Sequence, residues 1–303
     1  MGNMVIRSWS SLFLVILCFS TTVLLLGCIR PNEEMLLGYD LDKVKLLRYN
    51  CTSRSPGANL PTYTWELTLE VEKVGKGRYA LIRTLTNIAA EGLELYDIPP
   101  EVLGPIEPML VTLGGLNGTF ELDQQGNISK YLYDEYTFGQ ENSITGGWVT
   151  ATTSNMITGR GYLQELPPLP SETMLIGDFW NGTFTYNTTV QIKGGINDIS
   201  TIGDNSGYVV CEAVRRDKRE TPAGEFSVLE IDTLWQVTNY PSILYLNGTI
   251  KKFTGMTSSY EGEVVIDIAT GVVVYSVKTF EALEEEVLPS NEVVLELVKI
   301  EKS

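Results

Sequence analysis

The sequence predicts an all-β protein: a strongly curved antiparallel sheet or half-barrel built from two β-meanders, preceded by an N-terminal signal or anchor helix. Three observations carry that expectation. Apolar and polar residues alternate with period two through most of the chain after residue 41. Glycine- and asparagine-bearing turns separate the alternating runs, and almost nothing repeats at the helical period of 3.6. Strands with one apolar face each, joined by short turns, imply antiparallel pairing around a single core.

The N-terminus has the order of an export signal. One basic residue, Arg7, precedes the apolar run "SLFLVILCFSTTVLLL", and a small residue, Gly27, stands before Cys28. The tetrad Leu25-Leu26-Gly27-Cys28 resembles the lipobox of prokaryotic lipoproteins, which implies cleavage before Cys28 and lipidation of its thiol. The competing expectation is an uncleaved single-pass anchor, since about 20 mostly apolar residues suffice to span a bilayer. Both place the remainder of the chain outside the cytoplasm and tethered to the membrane. The domain reading is therefore a signal peptide at 1–27, a tether at 28–41 and a single β-domain at 42–303.

The elements follow in order. A strand is expected at 42–50, then "TYTWELTLEVEKV" at 62–74, which puts Tyr63, Trp65, Leu67, Leu69 and Val71 on one face against Thr64, Glu66, Thr68, Glu70 and Glu72 on the other. The turn "GKG" at 75–77 leads into "RYALIRTLTNI", so the two runs form a hairpin. Further strands are expected at 118–123, 128–137, 147–154, 182–193, 207–215, 226–238, 243–253, 262–268, 271–280 and 291–300. The segment 99–113 has some helical character, which Gly104, Pro105 and Pro108 reduce to short turns.

Two stretches echo each other. "GTFELDQQGNISKYLYD" at 118–134 and "GEVVIDIATGVVVYSVK" at 262–278 each carry a strand, an aspartate, a glycine turn and a second strand. Asp123 and Asp267 can cap these turns while Gly126 and Gly271 supply positive φ. The echo suggests two related halves, 42–160 and 175–303, with the proline-rich "LPPLPSETML" at 166–175 crossing between them because proline cannot sit inside a central strand.

"LPPLPSETMLIGDFW", the Pro222–Phe226 turn in "TPAGEF" and the "GEVVIDIATG" hairpin together resemble a group of β-rich prokaryotic surface lipoproteins, archaeal in the present case, similar to the half-barrel lipoprotein carrier superfamily. That resemblance covers about the last 140 residues and rests on turn chemistry. It implies a concave face able to hold acyl chains.

Composition narrows the function. With 38 acidic against 22 basic residues and a net charge of −16, nucleic acid is not an expected partner. The basic run "RRDKRE" at 215–220 is interrupted by Asp217 and reads as a solvated turn. The chain has no histidine, which removes Ser-His-Asp and Cys-His catalysis and histidine-bound zinc. There is no phosphate-binding glycine loop, no dinucleotide fingerprint and no Gly-x-Ser-x-Gly elbow. The acidic run "EALEEEV" at 281–287 reads as a solvated loop, not a carboxylate pair for glycoside hydrolysis. No enzyme activity, cofactor or metal is expected.

Cys18 falls in the signal and Cys28 is the lipid site, which leaves Cys51 and Cys211. Outside the cytoplasm two remaining cysteines usually pair, and a loop of about 160 residues would stabilise by ~4–5 kcal/mol. The alternative is two buried free thiols. Six Asn-X-Ser/Thr sequons, at Asn50, Asn117, Asn127, Asn181, Asn187 and Asn247, suit a glycosylated surface protein. The segment "VLGPIEPMLVTLGGL" at 102–116 offers Met109, Leu110 and Leu113 as the wall of a hydrophobic pocket, or as a plug for the open edge of a curved sheet. Tyr63, Trp65, Trp148, Phe179, Trp180 and Trp235 read as core. The expected function is a non-enzymatic, membrane-tethered binding module for a hydrophobic ligand, and the alternative is a cell-envelope interaction protein with a filled core.

Overall fold

The structure, a computed structural model, describes residues 34–54, 62–91, 118–133, 136–141, 148–193, 199–239, 243–246, 249–252, 256–281 and 291–302. Leu36–Ser303 forms one compact unit, separate from Met1–Met35. The signal peptide, Cys28, Met109, Leu110, Leu113, Asn117 and Asn247 lie outside the described residues.

The described residues form fifteen antiparallel strands: β1 (Val44–Arg54), β2 (Thr62–Gly75), β3 (Arg78–Glu91), β4 (Gly118–Asp123), β5 (Asn127–Tyr133), β6 (Tyr136–Glu141), β7 (Trp148–Arg160), β8 (Phe179–Lys193), β9 (Ile199–Thr221), β10 (Gly224–Asn239), β11 (Ile243–Leu246), β12 (Thr249–Lys252), β13 (Met256–Asp267), β14 (Val273–Glu281) and β15 (Asn291–Lys302). Twelve of them run β10-β13-β14-β15-β1-β2-β3-β4-β5-β7-β8-β9, and pairing of β9 with β10 closes the ring. The sheet is therefore a closed barrel and not the expected half-barrel. Closure comes from the length of β9, whose residues 205–221 pair with β10 while 179–192 of β8 cover its other edge.

The alternation that predicted the strands also sorts the two faces of the wall. On β2, Leu67 and Leu69 are buried in the lumen, while Glu66, Glu70 and Glu72 take the outward parity. An outer face bearing carboxylates is a water-facing surface, unlike the apolar band of a membrane-spanning barrel. Two expected strands are in fact two each: 128–137 divides into β5 and β6, and 243–253 is the hairpin β11–β12. The dipeptide Asn247-Gly248 is the turn signal that a single-strand reading passes over. The run at 215–220 is strand and not turn, because its charges are satisfied across the β9–β10 and β10–β13 ladders. Arg215 binds Glu230 at 2.5 Å, Lys218 binds Glu225 at 2.8 Å, and Arg219 lies 3.7 Å from Glu263 and over the Tyr275 ring.

The proline-rich passage joins β7, which ends at Arg160, to its neighbour β8, which starts at Phe179, and folds inward. Residues Leu163–Leu169 are buried in the lumen. Irregular backbone in such a place must find partners for its polar groups. Pro167 and Pro168 bring no N–H to satisfy, and aromatic donors take the carbonyls. Trp235 Nε1 donates to Gly161 O at 2.9 Å, Tyr39 Oη to Pro167 O at 2.8 Å, and Trp180 Nε1 to Pro168 O at 2.7 Å. Leu169 N donates to Gln125 O at 3.0 Å. Arg83 of β3 and Glu165 of the plug form an ion pair at 2.6 Å, with side chains only 4% and 3% exposed.

The last residues of the expected tether are also part of the fold. Leu37, Tyr39 and Leu41 are buried at the end of the barrel that carries the short turns. Tyr39 N donates to Gln124 O at 2.9 Å and Asp40 N to Thr270 O at 3.0 Å, so this strap bridges the two echoing hairpins. Gly126 (φ +83°) and Gly271 (φ +71°) adopt the positive φ their turns require. Close approach also demands glycine: a Cβ would stand 2.9 Å from Pro167 O at Gly126 and 2.8 Å from Gly38 O at Gly271. Asp123 Oδ1 caps its turn by accepting from Gln125 N and Asn127 N, at 3.0 and 2.8 Å.

Cys51 and Cys211 are free, buried thiols and not the expected disulfide. They sit on β1 and β9, which do not pair. Each is enclosed by its own cross-strand neighbours, Trp65 and Leu295 for Cys51, Trp180 and Thr233 for Cys211. Burial pushes both thiols well up from their usual range, which leaves them weak nucleophiles.

Two outcomes follow from this packing. Replacing Glu165 by Ala removes the carboxylate that pairs with the buried Arg83 guanidinium and should lower unfolding free energy by about 3–5 kcal/mol, read as a shift of the guanidinium chloride midpoint. A thiol reagent applied to Leu36–Ser303 without reductant should find no reactive group in the native protein and two after denaturation; a denatured protein with none would restore the disulfide.

Candidate functional site

The plug divides the lumen into two levels. Toward the short turns the space is packed, with Tyr39, Leu41, Leu81, Phe120 and Leu122 each at most 2% exposed. The floor of the other level is polar and built by the plug tip: the Arg83–Glu165 pair, and Gln164, whose Nε2 donates to Ser276 Oγ at 2.6 Å and to Val293 O at 3.1 Å.

Above that floor the wall is aromatic. Trp65 stands opposite buried Cys51, and Tyr63 opposite Ser53, which puts both rings on the lumenal face of β2. Tyr260 stands opposite Trp235, whose ring is fully buried. Tyr162, at the entry of the plug, stacks on Tyr186 with centroids 4.8 Å apart and meets Phe184 edge-on at 5.4 Å. Tyr63, Trp65, Tyr162, Tyr186 and Tyr260 are half-buried, in contrast to the closed packing below.

Among the described residues one cation, Lys278, enters this aromatic level. Lys278 shares its face of β14 with Ser276 and is flanked by Gly262 of β13 and Val293 of β15. Its ammonium lies 4.5 Å from the Trp235 ring centre and 4.6 Å from that of Tyr260. Among the described residues no carboxylate is within ion-pair distance of it, since Glu165 is engaged by Arg83. Burial pulls the amine down to about 8, an effect that the Glu165 charge partly opposes. The phenol of Tyr49, buried beside the same carboxylate, has no hydrogen-bond partner among the described residues and is pushed well up, first by burial.

The arrangement suits recognition: ring faces for an apolar body and a single amine for a negative end. A second concavity lies outside the lumen, a groove of about 400 Å³ between Leu169–Met174 and Asp178–Asn181. Its one cation, Arg160, is already engaged through Nη2 with Asn181 O at 3.1 Å.

Of the aromatics singled out from sequence, Tyr63, Trp65 and Trp235 take the lumenal parity of their strands. Trp180 is half-buried and tied to Pro168, Phe179 is 65% exposed on the outer wall and not in the core, and the side chain of Trp148 is outside the described set. Asn50, Asn127 and Asn181 are exposed and Asn187 is half-buried. Lys278, Tyr162, Tyr186 and Tyr260 escaped the sequence reading. For Lys278 a signal existed, because parity along "VVVYSVKTF" puts it on the same face as Val272, Val274 and Ser276.

No protein-family model matches the chain, and no curated protein matches it. Among solved structures the chain is similar to a Bacteroides fragilis protein assigned as exported and as having a YmcC-like fold. The identity is 14% and the TM-score 0.36, over 89% of this chain and 100% of that one.

The Lys278 titration gives a test of its surroundings. The folded amine loses its proton near pH 8 and the unfolded one near 10.5, so between these values the unfolded state holds more protons and stability rises with pH. Below pH 8 the charge is a burden on the fold. Lys278→Met should therefore be the more stable protein at pH 7, by on the order of 1–3 kcal/mol. Its advantage should shrink between pH 8 and 10.5, followed by paired denaturant titrations.

Proposed function

We propose that this chain is a non-enzymatic, extracytoplasmic binding module that holds a hydrophobic ligand in the aromatic level of its barrel, tethered to the membrane through a lipid on Cys28. The observation that carries the reading is the contrast between the two levels. One is packed shut by the plug and strap, and the other presents half-buried aromatic rings on the lumenal face of a closed wall. A protein that needed only a stable core would bury those rings, since each has 150–250 Å² of surface to withdraw from water. The exposed sequons at Asn50, Asn127 and Asn181 suit a glycosylated outer surface, and the outward carboxylates keep that surface in water.

The plug itself favours a second reading, a cell-envelope interaction protein with a filled core. A lumen already occupied by Leu163–Leu169 leaves no through-channel, and such a protein would work through its outer wall. Exposed Phe179, Tyr208, Val214 and Leu234 on β8, β9 and β10 are the apolar part of that wall.

Native mass spectrometry of Leu36–Ser303, exported from an archaeal host and compared before and after organic extraction, separates the two. Extra mass that extraction removes is the expected result. Bare or merely glycosylated protein would move the assignment to the filled-core reading. For the tether, a full-length Cys28→Ser protein should leave the membrane fraction if processing is blocked and the lipid lost; one that still fractionates with membrane would point to a retained N-terminal anchor.

A further inference from the structure

We propose that Lys278 makes the lumen selective for an amphiphile with a negatively charged head, a long-chain carboxylate being the simplest, whose head meets the ammonium between Trp235 and Tyr260 and whose tail lies along the aromatic wall. This inference rests on the binding-module reading above and names the class of its ligand.

A half-buried ammonium needs acceptors or a counter-charge in place of the water it has lost. Withdrawing an ammonium from water costs more than contact with ring faces returns. The two rings at 4.5 and 4.6 Å therefore position the charge without compensating it. The groups packed around it do not supply the remainder. From the plug comes Glu165, held by Arg83 at 2.6 Å. From β13 comes Tyr260, whose phenol burial pushes further toward the neutral form, and from β15 comes the apolar Val293. From β10 comes Trp235, whose N–H is spent on Gly161 O at 2.9 Å. The lowered amine is the expected mark of that deficit.

Gly262 opposite Lys278 adds a geometric reason. A Cβ there would stand 3.1 Å from the Trp235 ring and 2.2 Å from Val277 O, so the missing side chain is what lets indole and amine share one face. The amine has the polar plug tip beneath it and half-buried Tyr260 beside it. A carboxylate entering along the rings would meet Lys278 as its first uncommitted cation, because Arg83 is already neutralised. Charge-assisted hydrogen bonds to the ammonium are about twice as strong as neutral ones, and they would supply the compensation that the rings alone do not.

The test uses Leu36–Ser303, freed of lipid by organic extraction and refolded, with two fluorescent probes of the same tail: cis-parinaric acid and its methyl ester. Wild-type protein should bind the acid at least 10-fold more tightly than the ester at pH 7, with the preference fading as pH rises past 8. Lys278→Met should lose the preference while keeping ester affinity, and Lys278→Arg should retain it. Equal affinity for acid and ester, unchanged in Lys278→Met, would overturn the anion site and leave the binding module standing. Failure of both probes to bind a protein that regains its native β-sheet circular dichroism would overturn the module and the inference together.

Discussion

A closed ring of twelve strands sets the problem that the rest of this structure solves. About eight strands enclose an interior that wall side chains can fill, and diameter grows with strand number. A wider ring needs additional chain inside, and the chain inside must satisfy its own backbone. Here the β7–β8 connection supplies both. Its two adjacent prolines remove donors that would be orphaned in the lumen, and Trp180, Trp235 and Tyr39 each give one hydrogen to a plug carbonyl. The indole and phenol groups thus act as large apolar fillers and as backbone partners at once.

How far the plug reaches decides where a ligand can go. The strap at residues 37–41 and the glycine turns at 126 and 271 close one end, and the Arg83–Glu165 pair fixes the plug tip at mid-height. A buried pair of this kind adds little net stability compared with an apolar replacement, but it tolerates no displacement of one partner from the other. It is therefore a positional device. It holds Gln164 against Ser276 and stops the filled level there, below the half-buried aromatic rings.

The strands were legible because their cause is local. The run at 62–74 became β2 at 62–75, and Gly126 and Gly271 have the positive φ their turns imply, since alternation and turn chemistry depend on residues a few positions apart. Closure was not legible in the same way. It depends on β9 meeting β10 along 205–221 and on β15 meeting β1, a pairing between the two ends of the domain that no short window contains. The inward path of the proline-rich stretch was hidden for a related reason. Proline excludes a central strand, but it suits an exposed linker and a lumenal plug equally, and only the three aromatic donors, scattered from residue 39 to 235, distinguish them. The cysteines show the limit of an argument from compartment alone, because their fate rests on which strands adjoin. The site was half visible: the rings of Tyr63, Trp65 and Trp235 could be assigned to an apolar face, whereas the parity of Lys278 with Ser276 gains its meaning only against a closed wall.

The same wall separates two electrostatic regimes. The chain carries a net charge of −16, yet the charged groups discussed in the lumen are Arg83, Lys278 and Glu165, two cations against one anion. Outside, salt screens charges beyond about 8–10 Å, so the acidic surface acts on an approaching anion only weakly and mainly on its rate of approach. Inside, the low dielectric strengthens a single uncompensated charge severalfold. Glu165 sits at the junction of the two effects. Its charge helps raise the phenols of Tyr39 and Tyr49 and holds up the amine of Lys278, while Arg83 keeps it from closing on that amine. Were Glu165 free to swing to Lys278, it would neutralise that amine and deprive Arg83 of this carboxylate. The buried ion pair that pins the plug is thus also what keeps the lysine uncommitted, and one pair of side chains connects the filling of the barrel to the charge of its remaining space.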